Sequence, residues 1–262
     1  MNTTRSLAEF RHAGAGIDAR GIATLTVREA GTHNVLSTPV MLDLLRAMQA
    51  LDGCEDLRVL VLRGSGNKAF VAGADIREMR DLNEASAREF IDRLRQVCEA
   101  MRTLPVPVIA RVAGWALGGG LELAAACDLR VASNRAQFGM PEIKVGIPSI
   151  IHAALLPRLL GAARARWLLM VGDNIDAAQA LDWGLVDVVV PQHRLDDEVE
   201  RLAAQLAGYG PQALRQQKRL LREWERQPLE EAILRGVDEF AAAYRTGEPQ
   251  RYMAAFGRQD NS

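Results

Sequence analysis

Cysteine and histidine are scarce in this chain, and the few present are poorly spaced for metal binding. Cys54, Cys98 and Cys127 are odd in number and form no CxxC pair, so we expect a reducing compartment and neither a disulfide framework nor a structural zinc ion. The four histidines share no metal-ligand spacing, and no GxSxG motif presents a nucleophilic serine. The sequence therefore predicts no metal site and no serine-hydrolase site.

An excess of charge and a long apolar segment are also missing. The 32 Lys and Arg residues balance 33 Asp and Glu residues for a net charge of −1, which argues against a nucleic-acid or anionic-membrane partner. No apolar run reaches the roughly 18 residues of a membrane helix, and the first residues lack the apolar stretch of a signal peptide. With 48 % hydrophobic residues the composition is that of a globular protein, which we expect to be soluble and cytoplasmic.

What the sequence does contain is an alternation of strand and helix patterns, which predicts an α/β domain. Strand patterns occupy residues 21–27, 57–62, 69–72, 106–112, 129–132 and 137–139, and helical patterns occupy residues 38–51, 85–104 and 121–127, with another helix beginning near Asp75. From Leu195 the pattern is nearly all helical, with segments at 192–206 and 211–224 and a last one to about Phe256. We predict a core, residues 1–194, and a helical C-terminal region, residues 195–262, for covering the core or for oligomerisation.

Two glycine-rich segments call for a functional interpretation. Residues 64–69 follow a strand and match the dinucleotide-binding pattern GxGxxA, but that pattern needs a helix to begin at the turn. A strand pattern follows instead, so we interpret the segment as a connecting turn. Gly118-Gly119-Gly120 precedes a predicted helix and leaves unpaired N–H groups at the positive end of its dipole. Such groups stabilise a carbonyl oxygen that gains negative charge.

Two glutamates are candidates for acid–base catalysis. Glu122 lies in the first turn after the three glycines, where it could equally offset the helix dipole or complete a cap. Glu142 follows a strand in an apolar segment that should raise the pKa of its carboxyl group, but a surface salt bridge would explain it equally well. Two glutamates in different environments suit proton transfer to and from a water molecule. The residues alone leave both interpretations open.

Three segments of the chain resemble the crotonase (enoyl-CoA hydratase/isomerase) family. The run from Lys68 to Ile76 is similar to the family's segment for the first oxyanion-hole donor, and the run from Gly114 to Leu123 to its second donor and first glutamate. Residues 136–142 resemble the second-glutamate segment, and the spacing of 20 residues between the glutamates fits. Weaker similarity continues in short segments between residues 171 and 187, and the resemblance as a whole covers roughly residues 20–190.

The resemblance implies a fold, a site and a reaction. The family folds as a crotonase-like spiral of ββα turns with a helical C-terminal region, and its members are commonly trimers or dimers of trimers. By position, the N–H groups of Ala74 and Gly119 would hold a thioester carbonyl oxygen. Glu122 and Glu142 would hold a water molecule against the double bond of a 2-enoyl-CoA. The implied protein is an enoyl-CoA hydratase, a lyase that needs no metal or redox cofactor, in a homotrimer or homohexamer.

The resemblance also implies which residues contact coenzyme A. The corresponding segment of the family lines the coenzyme A site, which makes Ala72, Asp75, Ile76 and Arg77 the binding candidates here. Asp75 has a second interpretation as the N-cap of the helix that follows it.

One segment departs from the family pattern. After Pro148 the family often has a glycine-rich stretch and then Thr-Gln-Arg, whereas this chain has Ser149-Ile150-Ile151-His152. We expect Ile150, Ile151 and His152 to reshape the pocket for the acyl group, although a histidine in an apolar segment is more often a half-buried structural residue. The natural acyl group is therefore open, and an isomerase or dehydratase acting on an unusual acyl-CoA is the alternative. Some relatives of the fold bind RNA, which the net charge of −1 disfavours here.

Overall fold

The computed structural model describes the backbone of residues 4–259 and the side chains of residues 4–254. Within these residues the strands are β1 (Arg5–Glu9), β2 (Ala13–Ile17), β3 (Ile22–Val27), β4 (Val59–Gly64), β5 (Ala69–Val71), β6 (Val108–Val112), β7 (Trp115–Leu117), β8 (Leu129–Ser133), β9 (Gln137–Gly139), β10 (Ile175–Asp176) and β11 (Val188–Val190). The helices are α1 (Thr38–Asp52), α2 (Ile76–Arg80), α3 (Glu84–Thr103), α4 (Gly119–Ala125), α5 (Leu156–Leu160), α6 (Ala162–Val171), α7 (Ala177–Asp182), α8 (Leu195–Gly208), α9 (Pro211–Trp224), α10 (Leu229–Tyr244) and α11 (Glu248–Gln259). Short 3-10 helices span Pro141–Val145, Ile151–Leu155 and Gln192–Arg194.

The strands form two sheets. The larger sheet has the order β1-β2-β3-β4-β6-β8-β11, and the smaller has the order β10-β9-β7-β5. β1, β2 and β3 are antiparallel neighbours, and from β3 to β11 the large sheet is parallel. In the small sheet β5, β7 and β9 are parallel, and β10 pairs with β9 in the antiparallel direction. Parallel neighbours need long crossover connections, and the helices lie in those connections.

The chain winds as a spiral of ββα turns, which confirms the predicted fold class. One turn runs from β4 in the large sheet to β5 in the small sheet and on to α2 and α3. The next runs from β6 to β7 and α4, and a third runs from β8 to β9 and the short helices that follow. Because the small-sheet strands are parallel, their carboxyl ends meet at one edge of that sheet, and the segments after them lie side by side.

Alternate residues of the large sheet face two hydrophobic clusters. On β4, Leu60 and Leu62 belong to the main core, which includes residues of α1 and α3. Val59 and Val61 face the opposite way, into a second cluster that includes residues of α8. Because both faces of this strand are covered, its sequence is continuously apolar instead of alternating.

Most predicted elements lie within two residues of the observed ones at each end, but the first and the last of the C-terminal helical segments do not. α1, α3 and α9 lie within one residue of the predicted helices at each end. The single helix predicted over residues 192–206 is wrong at its start, because a 3-10 turn precedes α8 at Leu195. The last helical segment is interrupted at Gly247, whose φ of +70° favours glycine, and so forms α10 and α11.

The helices after residue 195 differ in how closely they contact the core. α8 packs on the large sheet, and a buried lysine of α9, Lys218, donates to the carbonyl oxygens of Met101 and Val106 and to the carboxylate of Asp128. Of the residues of α10, only Ala232 is buried. The division of the chain at residue 195 stays a prediction. Within residues 4–259, no helix combines the length and apolarity needed to cross a bilayer.

Candidate active site

A largely apolar cavity of about 620 Å³ lies where the turns of the spiral meet. It is bounded by the residues after β5, by α2 and α3, by the start of α4, and by the segment after β9. Its apolar wall includes Met79, Phe90, Ile91, Leu94, Leu117 and Ile147. The few polar groups that reach it include the carboxyl groups of Glu122 and Glu142, so the two predicted catalytic residues share one cavity.

The turn after β5 leaves one backbone N–H group free at this cavity. Leu36 forms hydrogen bonds on both sides of Ala74. Its N–H donates to the carbonyl oxygen of Gly73 (2.9 Å), and its carbonyl oxygen accepts from the N–H of Asp75 (3.0 Å). In such a parallel bridge the residue between the two bonded groups directs its own N–H to the opposite side. That residue is Ala74, which lines the cavity and whose N–H has no acceptor among the described residues.

The turn before α4 supplies a second free N–H group. Gly118 has a φ of +51°, which favours glycine, and its N–H donates to the carbonyl oxygen of Gly139 at 2.8 Å. The next N–H, that of Gly119, begins α4 and finds no acceptor in the described part of the chain. Gly120 packs against β5 so closely that a Cβ atom there would lie 1.9 Å from the carbonyl oxygen of Val71. The three glycines therefore allow a backbone reversal and a close contact.

Glu122 is held inside the protein by a residue far along the chain. Its side chain projects from the first turn of α4, is 4 % exposed, and accepts a hydrogen bond at Oε1 from the N–H of Ala153 at 2.8 Å. Burial raises the pKa of Glu122 to about 8, the Ala153 hydrogen bond opposes this shift, and the nearby charge of Glu142 adds to it. The carboxyl group of Glu122 is therefore neutral near pH 7.

Glu142 lies in the 3-10 helix Pro141–Val145 that follows β9, and its side chain reaches the turn at Gly118. Its Oε2 accepts a hydrogen bond from the hydroxyl of Ser149 at 3.0 Å. Its Oε1 is so near Gly118 that a Cβ atom on that glycine would lie 2.4 Å away. Burial raises the pKa of Glu142, and hydrogen bonds from its own N–H and from Ser149 oppose the shift.

A helix cap at Glu122 and a salt bridge at Glu142, two of the simpler explanations, do not hold in the structure. No basic side chain in the described residues is within ion-pair distance of Glu122 or Glu142, so a surface salt bridge does not explain Glu142. The carboxylate of Glu122 bonds to Ala153 across the cavity wall and not to its own helix terminus, so it is not a helix cap. Both carboxyl groups are partly desolvated, and Oε2 of Glu122 accepts no hydrogen bond among the described residues.

The predicted binding residues divide into those that line the cavity and those that do not. Ala72, Ile76 and Ile150 line it, and Ile76 and Ile150 are 64 % and 44 % exposed at its mouth. Asp75 and Arg77 lie outside the lining, and Asp75 accepts from the N–H of Arg77 at 2.9 Å, which confirms its interpretation as the N-cap of α2. Their contacts with coenzyme A stay predictions.

His152 also lies outside the lining of the cavity. It is 7 % exposed, and its Nε2 lies 3.4 Å from a carboxylate oxygen of Glu99 on α3. Burial lowers the pKa of His152, although the Glu99 carboxylate opposes this effect. The side chain is thus more deeply buried than the half-buried structural residue that the sequence suggested, and its Nδ1 has no hydrogen-bond partner among the described residues. Its effect on the acyl pocket stays a prediction.

Sequence reasoning missed three contributors to the site. Ser149 and the N–H of Ala153 hold the two glutamates, and neither residue belongs to a motif. The third is the face of α3 around Phe90 and Leu94, which forms part of the cavity wall. The apolar stripe of residues 85–104 was visible in the sequence, but its position beside the glutamates was not. The turn at residues 64–69 joins β4 to β5, which confirms its interpretation as a connecting turn.

Comparison with known proteins identifies the family. The model of the enoyl-CoA hydratase/isomerase family matches residues 18–258. The crotonyl-CoA hydratase of Syntrophomonas wolfei is 36 % identical over 236 residues, which cover 90 % of this chain and 91 % of that protein. The short-chain-enoyl-CoA hydratase of Clostridium acetobutylicum is 32 % identical over 236 residues, or 90 % of each chain.

The fold agrees with that family as well. The crystal structure of an enoyl-CoA hydratase from Mycobacterium smegmatis superimposes with a TM-score of 0.90 at 32 % identity, and the match covers 95 % of this chain and 96 % of that one. The mixed α/β spiral, its two sheets and its C-terminal helices are thus shared with a solved relative over almost the whole length. The chain is a member of the enoyl-CoA hydratase/isomerase, or crotonase, family of enzymes.

Proposed function

We propose that this protein is an enoyl-CoA hydratase that adds water across the 2,3 double bond of a 2-enoyl-CoA thioester. The observation that carries the proposal is the meeting of four groups at one cavity: the carboxyl groups of Glu122 and Glu142, and the free N–H groups of Ala74 and Gly119. Two carboxyl groups are what a reaction that both removes and delivers a proton requires.

The two N–H groups suit the thioester carbonyl oxygen. Addition of water to the β-carbon pushes electrons toward that oxygen, which becomes enolate-like before the α-carbon is protonated. Donors already fixed in place, here Ala74 and Gly119, stabilise this charge without reorganisation, at roughly 3–4 kcal/mol for each donor in comparable oxyanion holes. Gly119 gains further from the N-terminal end of the α4 dipole.

The two carboxyl groups would share the proton transfers. A water molecule between them loses a proton to one carboxylate as its oxygen bonds to the β-carbon. The other carboxyl group, which enters protonated, gives its proton to the α-carbon, so atoms and charge balance over the cycle. Because burial disfavours charge at both Glu122 and Glu142, the pair retains a proton near neutral pH.

The rest of the cavity suits the two parts of an acyl-CoA. The apolar side chains of Phe90, Ile91 and Leu94 offer a wall for the acyl group, and Ala72 and Ile76 lie at the mouth, where the coenzyme would enter. The two named relatives act on crotonyl-CoA and on short-chain enoyl-CoA, which favours a short acyl group here.

An assay with crotonyl-CoA and a panel of longer and branched 2-enoyl-CoA thioesters tests the proposal. We expect the absorbance of the conjugated thioester to decline and the product mass to rise by one water. Glu122→Gln and Glu142→Gln should each lower kcat by at least about 100-fold, since each removes a proton carrier. Glu55→Gln, at an exposed loop position, is the matched control. Full activity in both active-site variants would contradict the proposal.

Ile150 motivates a second candidate, isomerisation or dehydration of an unusual acyl-CoA. This bulky side chain lines the cavity where the family often has glycine, so the acyl pocket has a different shape. Mass spectrometry separates the reactions, because isomerisation leaves the substrate mass unchanged and dehydration lowers it by one water.

A further inference from the structure

One short segment contacts both glutamates. Residues 149–153 begin with Ser149, whose hydroxyl is 3.0 Å from Oε2 of Glu142, and end with Ala153, whose N–H is 2.8 Å from Oε1 of Glu122. Each carboxyl group is therefore held at one oxygen by this segment. These are the residues that replace the glycine-rich stretch common in the family.

The segment is fixed in an unusual conformation. Ile151 has a φ of +44°, which is rare for a β-branched residue and persists only where the surroundings enforce it. The next residue, His152, is buried against Glu99 of α3, and that carboxylate also accepts from Arg102 and from Arg222 of α9. The turn is thus held from α3 and, through Glu99, from α9, so Ser149 is presented to Glu142 from a constrained backbone.

The hydroxyl of Ser149 suits a partner that changes its protonation state. A hydroxyl donates to an ionised carboxylate and accepts from a protonated one, so a single contact holds both states. The terminal torsion of a glutamate is otherwise broad, and one fixed hydrogen bond restricts it. A glycine at this position has no side chain to do so.

We infer that Ser149 is a positioning residue for Glu142, which holds Oε2 and thereby keeps Oε1 directed at the reacting water through both halves of the proton transfer. The kinetic part of this inference rests on the proposed hydratase function. The structural part, the Ser149–Glu142 bond and its effect on Glu142, does not.

The effect of Ser149 on the pKa of Glu142 can be separated from the effects of the charged groups nearby. Glu122 faces it from α4, while Glu84 and Arg88 of α3 line the same cavity. Lys144, on the same 3-10 helix, is paired with Asp173. Within residues 4–254, Ser149 makes the single side-chain hydrogen bond to Glu142. Burial raises the pKa of Glu142, and the hydrogen bond from its own N–H and then that from Ser149 oppose the shift. Removing the hydroxyl should therefore move the pKa of Glu142 upward.

Kinetics of Ser149→Ala and Ser149→Thr test the inference on the turnover of 2-enoyl-CoA. We expect Ser149→Ala to lower kcat about 10- to 100-fold with KM changed less than about 3-fold, and to move the limb of the pH–rate profile that belongs to Glu142 to higher pH. Ser149→Thr keeps the hydroxyl and should restore kcat to within about 3-fold of wild type. Ser6→Ala, a distant exposed serine, is the control. Wild-type kcat and an unmoved profile in Ser149→Ala would overturn the inference.

A measurement independent of activity separates this inference from the proposed function. In protein labelled with ¹³C at the glutamate carboxyl carbons, the Glu142 signal is assigned by its absence in Glu142→Gln and titrated with pH. Its midpoint should rise in Ser149→Ala and stay unchanged in Ser149→Thr. If wild type turns over no enoyl-CoA, the hydratase proposal fails while this titration still decides the role of Ser149. An identical Glu142 midpoint in wild type and Ser149→Ala would refute the contact. Ser149→Cys, which keeps the size but weakens the hydrogen bond, replaces Ser149→Ala in both tests should the latter not fold.

Discussion

The backbone N–H of Ala153 donates a 2.8 Å hydrogen bond to Oε1 of Glu122, 31 positions away in the chain. This single bond does not offset the burial of Glu122, whose pKa is raised to about 8. The packing of one turn of the spiral on another therefore keeps this carboxyl group protonated at neutral pH. Its charge state is linked to the stability of the fold and, under the proposed function, to the reaction.

The raised pKa of Glu122 predicts that stability declines as the pH rises. The folded state keeps this proton up to about pH 8, whereas the unfolded chain loses it near 4.5, so the folded state binds more protons between these values. The stabilisation is complete below about 4.5 and is lost as the pH passes 8, by at most about 5 kcal/mol. Glu122→Gln keeps an acceptor for Ala153 and should flatten this decline. Urea unfolding at pH 5.5 and 8.5 measures the decline in the free energy of unfolding, with the exposed Glu55→Gln variant as control. A decline in Glu122→Gln as large as that of wild type would contradict the prediction.

Gly118→Ala should abolish activity by displacing Glu142. A Cβ atom at Gly118 would lie 2.4 Å from Oε1 of Glu142, and its φ of +51° is strained for alanine. Gly31→Ala is the matched control, since Gly31 has a φ of +72° and open space around its Cβ position. Each variant should lose about 1–2 kcal/mol of stability to the left-handed backbone. We expect at least about a 100-fold loss of kcat in Gly118→Ala and near wild-type kcat in Gly31→Ala. Equal kcat in the two would disprove the steric argument.

Lys218→Met should loosen the attachment of α9 to the core. Lys218 is 5 % exposed, and its loss removes this donor from the carbonyl oxygens of Met101 and Val106. It also leaves the carboxylate of Asp128 without its cation, with only the N–H of Val108, among the described residues, still donating to it. The free energy of unfolding in urea should fall by about 2–4 kcal/mol. Lys68→Met, at an exposed position, should change it by less than about 0.5 kcal/mol. A loss of less than about 0.5 kcal/mol in Lys218→Met would show that the hydrogen bonds of Lys218 do not anchor α9 to the core.

The apolar face of α10 predicts self-association, in line with the trimer or hexamer implied by the resemblance. Five large side chains along this face are between 65 and 72 % exposed: Leu229, Ile233, Leu234, Val237 and Phe240. A stripe of this kind on one helix is unfavourable in water unless a surface covers it, and we propose a second copy of the chain. Val237→Glu should reduce the mass of the particle in analytical ultracentrifugation. Glu231→Lys, on the other side of α10, should not. A monomeric wild type would contradict the prediction.

Local pattern was enough to locate much of the fold and the two glutamates. The ends of α1 and α9 follow from apolar periodicity and from Pro211, and the Gly118 turn follows from glycine's freedom at positive φ. These features depend on residues near one another in the chain, so the sequence expresses them directly. The family resemblance rests on the same local segments.

The tertiary structure alone decided how the glutamates are held and what surrounds them. Ala153 reaches Glu122 across 31 positions, and His152 faces Glu99 across 53 positions instead of entering the cavity. Contacts of this kind depend on how successive ββα turns stack, and no local periodicity encodes that stacking. The sequence by itself determined that two glutamates and two glycine-containing turns exist. Only the packing of the turns against α3 brought them to one desolvated cavity, where burial raises the pKa of both carboxyl groups.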